Sequence, residues 1–117
     1  MIAVIFEVVL AADGGDDYLA IAGDIRPQLD KVEGFISVER FQSLVDPQKL
    51  VSLSFFRDEE SVMRWRKVMA HKEAQQRGRN GVFTDYRLRV AEVVRDYGMF
   101  ERDEAPAPVP AEHQSVV

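Results

Sequence analysis

The sequence predicts an α+β fold with the element order βαββαβ, the ferredoxin-like arrangement. Three observations support this prediction. The chain opens on an apolar strand, two amphipathic helical segments lie further along it, and a short turn separates two strands between the helices. This order gives one four-stranded antiparallel sheet that carries both helices on the same face.

The first strand is predicted over residues 2–10, which are apolar on both alternating faces. Such a strand has to be covered on both sides. The turn at residues 13–16 contains two aspartates and two glycines and suits the start of a helix. In the first helix, apolar residues recur at alternating four- and three-residue steps and form one buried stripe. The stripe consists of Tyr18, Ala22, Ile25, Leu29 and Val32.

The second and third strands are predicted over residues 35–44 and 50–56. The short turn between them has Pro47 at its second position, so the two strands form an antiparallel hairpin. Two helices cover only one face of the finished sheet. We expect aromatic side chains on the other face, namely Phe35, Phe41 and Phe56.

An open apolar face predicts an assembly, because soluble monomers rarely expose so large an apolar patch. A second copy of the sheet is the simplest cover, and the sequence therefore predicts a two-fold homodimer. The fourth strand is predicted over Val82 to Tyr97, with a bulge near Ala91–Val94 where the alternation slips. A strand of that length extends beyond its own sheet and suits exchange between two copies.

The second helix is predicted to begin at Asp58, whose carboxylate suits an N-cap, with further acids in the first turn. The helix is expected to consist of two pieces, and Gly78 is the expected C-cap. The first piece carries Val62, Trp65 and Met69, and the second carries Ala70, Ala74 and Gln75.

Composition limits the classes of function. The 117 residues form one domain, expected over residues 1–100, followed by a proline-rich acidic tail over residues 101–117 that is expected to be disordered. A net charge of −5 argues against nucleic-acid binding. The absence of cysteine excludes thiol catalysis and cysteine-ligated metals. No apolar run is long enough to span a bilayer, so we expect a cytoplasmic protein without a membrane partner.

One segment concentrates the residues that suggest a site. It contains Trp65, the only tryptophan, and His71, the only histidine outside the tail. Trp65 also suits a place in the core, and His71 also suits a surface or hinge position. Glu7 is an isolated charge on the apolar first strand. Either it faces a pocket with a raised pKa, or it pairs with an arginine, and we favour the pair.

The chain resembles the antibiotic biosynthesis monooxygenase family over residues 1 to about 98. The resemblance rests on residues 34–41 (GFISVERF), 53–59 (LSFFRDE), 65–79 (the pattern WRx4Hx2AQx2GR) and 83–86 (FxDY). It implies a dimeric α+β barrel in which each protomer holds a pocket between helices and sheet. Some members oxidise polycyclic phenols or quinols with molecular oxygen and no cofactor, and the same reaction is the expectation for this chain.

The resemblance also implies roles for individual residues. Trp65 would stack on a planar substrate, and His71 would move the proton. Tyr86 is the first candidate for substrate binding, although Tyr86 and Arg87 lie on opposite faces of the fourth strand. Arg87 is the second candidate, as the partner of an anion across the dimer interface. Arg66 and Glu7 complete the set of binding candidates, and no metal is expected.

Two alternatives stay open. Other members of the family bind and cleave haem, and His71 would then be the axial ligand. In those members the tryptophan and histidine lie further apart than here, and the first strand has an asparagine where this chain has Phe6-Glu7. The third alternative is a non-catalytic dimeric module that binds a small molecule or acts in a stress response.

Overall fold

The computed structural model describes residues 1–75 and 83–108, and the side chains of residues 70–75 are outside that description. Six elements follow one another in the predicted order, which confirms the βαββαβ arrangement. They are β1 (Ile2–Leu10), α1 (Gly15–Leu29), β2 (Phe35–Gln42), β3 (Lys49–Phe56), α2 (Glu59–Gln75) and β4 (Phe83–Glu92). Within the described residues, no helix is long and apolar enough to cross a membrane.

The four strands form one antiparallel sheet in the order β2-β3-β1-β4. The apolar strand β1 lies inside the sheet, between β3 and β4. Ile2 marks one end of it and is paired with Phe56 on one side and Glu92 on the other. The edge strands are therefore β2 and β4.

The even-numbered residues of β1 face the helices and form the core. The predicted stripe of α1 packs on them, with Tyr18, Ala22, Ile25 and Leu29 all buried. Val32 lies just beyond the end of α1 and packs against the core while partly buried. The prediction of an amphipathic first helix is therefore confirmed.

The expected aromatic set on the open sheet face is wrong for two of its three members. Phe56 is fully buried on the helix face, where it pairs with Ile2, and the Phe35 ring packs on it at 5.7 Å between centroids. Only Phe41 lies on the open face, opposite Val51. For Phe35 the reason is a register shift in β2 directly after it, which reverses the alternation between Phe35 and Phe41. Phe56 lies on the helix face because the alternation of β3 puts it on the face opposite to that of Val51.

The start of α2 confirms Asp58 as the N-cap. Its carboxylate accepts hydrogen bonds from the backbone N–H of Ser61 at 2.9 Å and from the Ser61 hydroxyl at 2.6 Å. These bonds, with a further one from Arg57, lower the pKa of Asp58 to about 2. The expected division of this helix into two pieces is wrong, because α2 runs without a break as far as Gln75. The expected cap at Gly78 lies outside the described residues.

The fourth strand is shorter than expected at its end. It stops at Glu92, opposite Ile2, because β1 offers no partner beyond that residue. The backbone N–H of Val93 donates to the carbonyl of Met1 at 3.0 Å and closes the ladder. The expected extension to Tyr97 and the bulge near Ala91–Val94 are therefore wrong. The irregularity lies instead at the other end of the pairing, between Val9 and Leu10.

Residues 93–108 leave the sheet as an irregular segment. The backbone N–H of Gly98 donates to the carbonyl of Glu101 at 2.8 Å, and Arg102 donates to the carbonyl of Gly98 at 3.1 Å. The Arg102 guanidinium also lies over the Tyr97 ring, 5.4 Å from its centroid. The remainder of the proline-rich tail, with His113, lies outside the described residues.

Candidate functional site

The core between helices and sheet is divided into two clusters. One contains Ile2 and Val4 of β1, and the other contains Val8 and Leu10. Phe6 lies between them on the same face, yet it is only partly buried, whereas Val4 is 7% exposed and Val8 is fully covered. Phe6 is therefore less covered than its two neighbours on the helix face.

The row of residues through Phe6 crosses the whole sheet. Phe6 is paired with Ser52 of β3 and with Leu88 of β4, and Ser52 is paired with Arg40 of β2. All four face the helices, and none of them is buried. The row is polar at its β2 and β3 end and apolar at its β1 and β4 end.

The helix face of β4 carries an exposed apolar strip. Tyr86, Leu88 and Val90 alternate along it and are 64%, 49% and 48% exposed. Their partners on β1 belong to the core or adjoin it, so the strip continues the apolar surface outward to the sheet edge. Apolar side chains that face a helical layer without being covered by it indicate a cleft.

Trp65 of α2 lies beside this strip. It is partly buried and packs against the cluster that contains Val4, whose partner on β4 is Val90. The structure thus places Trp65 and Tyr86 on the same side of the sheet. The structure shows Trp65 packed on the core, and its role in a site stays a prediction.

Aromatic rings form the floor of the cleft at its β1 end. Phe6 contacts Phe83 at 5.9 Å and Tyr86 at 5.7 Å between ring centroids, and Phe83 contacts Tyr18 at 5.9 Å. None of these three lining residues, Phe6, Phe83 and Tyr18, was predicted from the sequence. The signal for Phe6 was present, because the strand alternation puts it on the face of Val8.

The structure separates two of the expected site residues from Trp65 and Tyr86. Arg87 is paired in register with Glu7, and both lie on the open face of the sheet. A third candidate, Arg66, is exposed on α2. The backbone of His71 belongs to α2, but its side chain is outside the described residues, so its role in proton transfer stays a prediction.

Glu7 forms an ion pair with an arginine, which confirms the prediction made from the sequence. Its carboxylate accepts a hydrogen bond from Arg89, and the Lys49 ammonium lies 3.9 Å away. The bond from Arg89 lowers the pKa of Glu7, with smaller contributions from the neighbouring positive charges. A carboxylate held in this way is ionised at neutral pH and is not suited to accept a proton.

The structure has two hollows, one on the open face of the sheet and one that reaches Val90 at the end of the strip. One, of about 270 Å³, borders the open face and the β2–β3 hairpin, and its lining includes Glu7, Phe41 and Lys49. The other, of about 430 Å³, lies near Met1 and the start of α2. In the part of the chain that the structure describes, no three histidine, aspartate or glutamate side chains converge in a way that would hold a metal ion.

Comparisons with known proteins agree with the fold and the motif. A family model described as antibiotic biosynthesis monooxygenase matches residues 1–77. A curated relative, the jasmonate monooxygenase ABM of Pyricularia oryzae, is 48% identical over 93 residues. The aligned part covers 80% of this chain and 43% of that protein, so the chain spans less than half the length of the relative.

Solved structures share the architecture at low identity. Rv0793 from Mycobacterium tuberculosis matches with a TM-score of 0.69 and 16% identity, over 83% of this chain and 98% of that chain. A mutant of MhuD with two manganese protoporphyrin IX groups bound per active site matches with a TM-score of 0.70 and 18% identity, over 84% and 99% of the two chains. Similarities at this level of identity show the fold alone.

Proposed function

Because the chain belongs to the antibiotic biosynthesis monooxygenase family, we propose that it is a monooxygenase that oxidises a small ring-bearing substrate with molecular oxygen. The reaction takes place in the cleft between α2 and β4. The observation that carries this proposal is the exposed apolar strip of Tyr86, Leu88 and Val90 beside Trp65. A largely apolar cleft with few polar groups is the usual form of a small-molecule site.

The chemistry needs no cofactor when the substrate supplies its own electrons. Monooxygenation places one atom of dioxygen in the product and reduces the other to water. A phenol with a free ring position is converted to a quinone, and the two hydrogens that it loses leave in the water. An aromatic phenol or quinol is therefore one substrate class that suits a protein without a metal or a flavin.

The relative from Pyricularia oryzae supports a second substrate class, small cyclic keto acids such as jasmonate. A jasmonate molecule has a cyclopentanone ring, an apolar alkenyl chain and one carboxylate. Hydroxylation of such a molecule consumes two electrons that an external reductant has to supply. The need for a reductant therefore distinguishes the two classes in an assay.

Each residue of the cleft has a defined task in this proposal. Trp65 stacks on the ring of the substrate, and the apolar strip excludes water from it. The Tyr86 hydroxyl, at the exposed end of the strip, donates a hydrogen bond to a developing oxyanion. His71 accepts or returns the proton, because the pKa of histidine lies near neutrality.

The open face of the sheet supports a homodimer. Its apolar residues are exposed or partly buried, and no helix of the described residues covers them. They are Ile5, Val9, Phe41, Val51, Leu53 and Phe55. The Glu7–Arg89 pair lies on the same face. A second copy that packs on this face would bury the apolar surface, in the manner of two sheets packed face to face.

Haem binding with His71 as the axial ligand is the alternative. In this structure Phe6 presents a phenyl ring to the cleft, and Glu7 lies on the other face of the sheet, so these two positions offer no hydrogen-bond donor to a ligand on iron. The alternative therefore rests on His71 alone.

Oxygen uptake by the purified protein tests the proposal. We expect consumption of oxygen with a naphthol, or with jasmonic acid in the presence of a reductant, and strongly reduced turnover in Trp65→Ala. Titration with haemin is run in parallel. A haem absorption band that His71→Ala abolishes, without oxygen uptake on either organic substrate, would favour the haem alternative.

A further inference from the structure

Arg40 is the one cation on the row that crosses the sheet beneath the cleft, among the residues that the structure describes. It is partly buried on the helix face, and its Nε donates to the Tyr18 hydroxyl at 3.3 Å. Its guanidinium also lies over the Tyr18 ring, 5.9 Å from the centroid. None of the ion pairs within the described residues involves Arg40.

A partly buried guanidinium with only a neutral hydroxyl as partner keeps most of its five donors available. Removing such a charge from water is unfavourable unless an anion compensates for it. Glu39, the adjacent carboxylate in the sequence, is paired with Leu53 and lies on the opposite face of the sheet. The described residues thus hold Arg40 in place on this face without neutralising it.

Arg26 provides a comparison within the same chain. Its guanidinium lies over the Phe35 ring at 5.5 Å, in an arrangement like that of Arg40 over Tyr18. Arg26, however, donates to the Asp30 carboxylate at 3.0 Å, and both side chains are about half exposed. Within the described residues, Arg26 and Arg40 thus share the arrangement over a ring, but only Arg26 has a carboxylate partner.

The row that contains Arg40 has the polarity of an amphiphilic acid. Arg40 and Ser52 form its polar half, and Phe6 and Leu88 form its apolar half. Neighbouring strands lie about 4.8 Å apart, so the row extends over roughly 14 Å. We propose that Arg40, held by Tyr18 and assisted by the Ser52 hydroxyl, binds the carboxylate of a substrate whose ring lies over Phe6 and Leu88.

This proposal rests on the proposed function, since it names the substrate class of the same cleft. It selects acids over neutral molecules and therefore favours keto acids of the jasmonate type over phenols. Arginine binds a carboxylate through two parallel hydrogen bonds, which a lysine cannot reproduce. The bound anion supplies the compensating charge that the protein does not offer within the described residues.

Binding of jasmonic acid and of its methyl ester tests the proposal, because the two probes differ only at the carboxyl group. Tryptophan fluorescence and calorimetry give both dissociation constants. We expect the wild type to bind the acid more tightly than the ester. In Arg40→Gln the dissociation constant of the acid rises on the order of 10- to 100-fold, the usual effect of losing a charge-assisted hydrogen bond, while that of the ester stays the same.

Three further variants complete the test. Arg40→Lys recovers only part of the affinity for the acid, and Tyr18→Phe weakens it by less than Arg40→Gln does. Arg26→Gln, the matched control, leaves both dissociation constants unchanged. Equal losses for acid and ester in Arg40→Gln, or no preference for the acid in the wild type, would overturn the proposal.

The same samples separate this proposal from the proposed function. Arg40-dependent binding of the acid without oxygen uptake, with or without reductant, supports the anion subsite and contradicts the monooxygenase. Oxygenation of jasmonic acid that does not depend on Arg40 supports the monooxygenase and contradicts the subsite. A wild type that binds neither the acid nor the ester contradicts the subsite directly.

Discussion

Glu7 on β1 and Arg89 on β4 are joined by a hydrogen bond on the sheet face opposite the helices. As an exposed pair in a monomer this contact would contribute little to stability. Beneath a second copy of the sheet it would be shielded from water, and removal of Glu7 would leave Arg89 as an uncompensated charge in the interface. The pair is thus a sensitive indicator of the proposed dimer.

We therefore predict that Glu7→Gln shifts the protein from dimer to monomer at micromolar concentration. Light scattering measures the mass directly. The matched control is Arg26→Gln, which breaks the exposed Arg26–Asp30 pair on α1 and should leave the mass unchanged. A wild-type protein of monomer mass would contradict the dimer. A Glu7→Gln variant that dimerises as well as the wild type would contradict the place of the Glu7–Arg89 pair in its interface.

The same pair predicts a dependence on pH. The pKa of Glu7 is lowered in the fold, so its stabilising contribution is present above the pKa of the unfolded chain and is lost as the pH falls through the lowered value. In the proposed dimer, protonation of Glu7 would also leave the charge of Arg89 uncompensated in the interface, so acidification should dissociate the wild-type dimer. Sedimentation at a series of pH values follows the change. Glu7→Gln should show a weaker dependence of its mass on pH.

At Gly34 we predict that any other residue destabilises the fold. Its φ is +91°, in the left-handed region, and a methyl group at this position would overlap Ser61 Oγ and Cβ. Ser61 is itself fully buried at the start of α2. We expect Gly34→Ala to lower the free energy of unfolding by about 1–3 kcal/mol from overpacking, with backbone strain added.

Gly23 offers the matched control for that substitution. It lies inside α1, its φ is not positive, and a methyl group there meets nothing within 4 Å. Gly23→Ala should raise the free energy of unfolding by about 0.5–1 kcal/mol, because alanine loses less backbone entropy in a helix. Urea denaturation of both variants checks the opposite signs, and equal effects would contradict the packing described at Gly34.

The N-cap carboxylate of Asp58 should stabilise the fold less in acid. Its pKa of about 2 lies below the ordinary value of 3.8, so its contribution is complete above that ordinary value and is lost as the pH falls towards 2. Asp58→Ala should lower the melting temperature at neutral pH and flatten this part of the pH profile. Asp58→Asn should recover part of the loss, since asparagine is also a good N-cap.

How far the sequence predicts the structure depends on whether a feature is local. The N-cap at Asp58 and the stripe of α1 follow from neighbouring residues, and both were predicted correctly. The face of Phe35 was not, because the register shift after Phe35 arises only when β2 pairs with β3. The alternation of β3 alone puts Phe56 on the face opposite to that of Val51, so that error was avoidable. The end of β4 likewise depends on where β1 begins.

The candidate site shows the same limit. The family motif pointed to Trp65, and strand parity placed Tyr86 and Arg87 on opposite faces. The greater exposure of Phe6 could not be predicted, because Val4, Phe6 and Val8 are three apolar residues on the same face of one strand. Only the placement of two helices on the sheet makes Phe6 the less buried of the three.

Turnover with isotopically labelled dioxygen tests whether the site lies on the helix face of the sheet. The wild type should place one labelled oxygen atom in the product of a naphthol, or of jasmonic acid supplied with a reductant. Leu88→Glu, which puts a charge in the apolar half of the cleft, should abolish the labelled product while the variant stays folded. Leu19→Glu, which makes the same change at an exposed position of α1, should retain it. Equal labelling by Leu88→Glu and the wild type would contradict a site on the helix face. No labelled product from the wild type would contradict the monooxygenase.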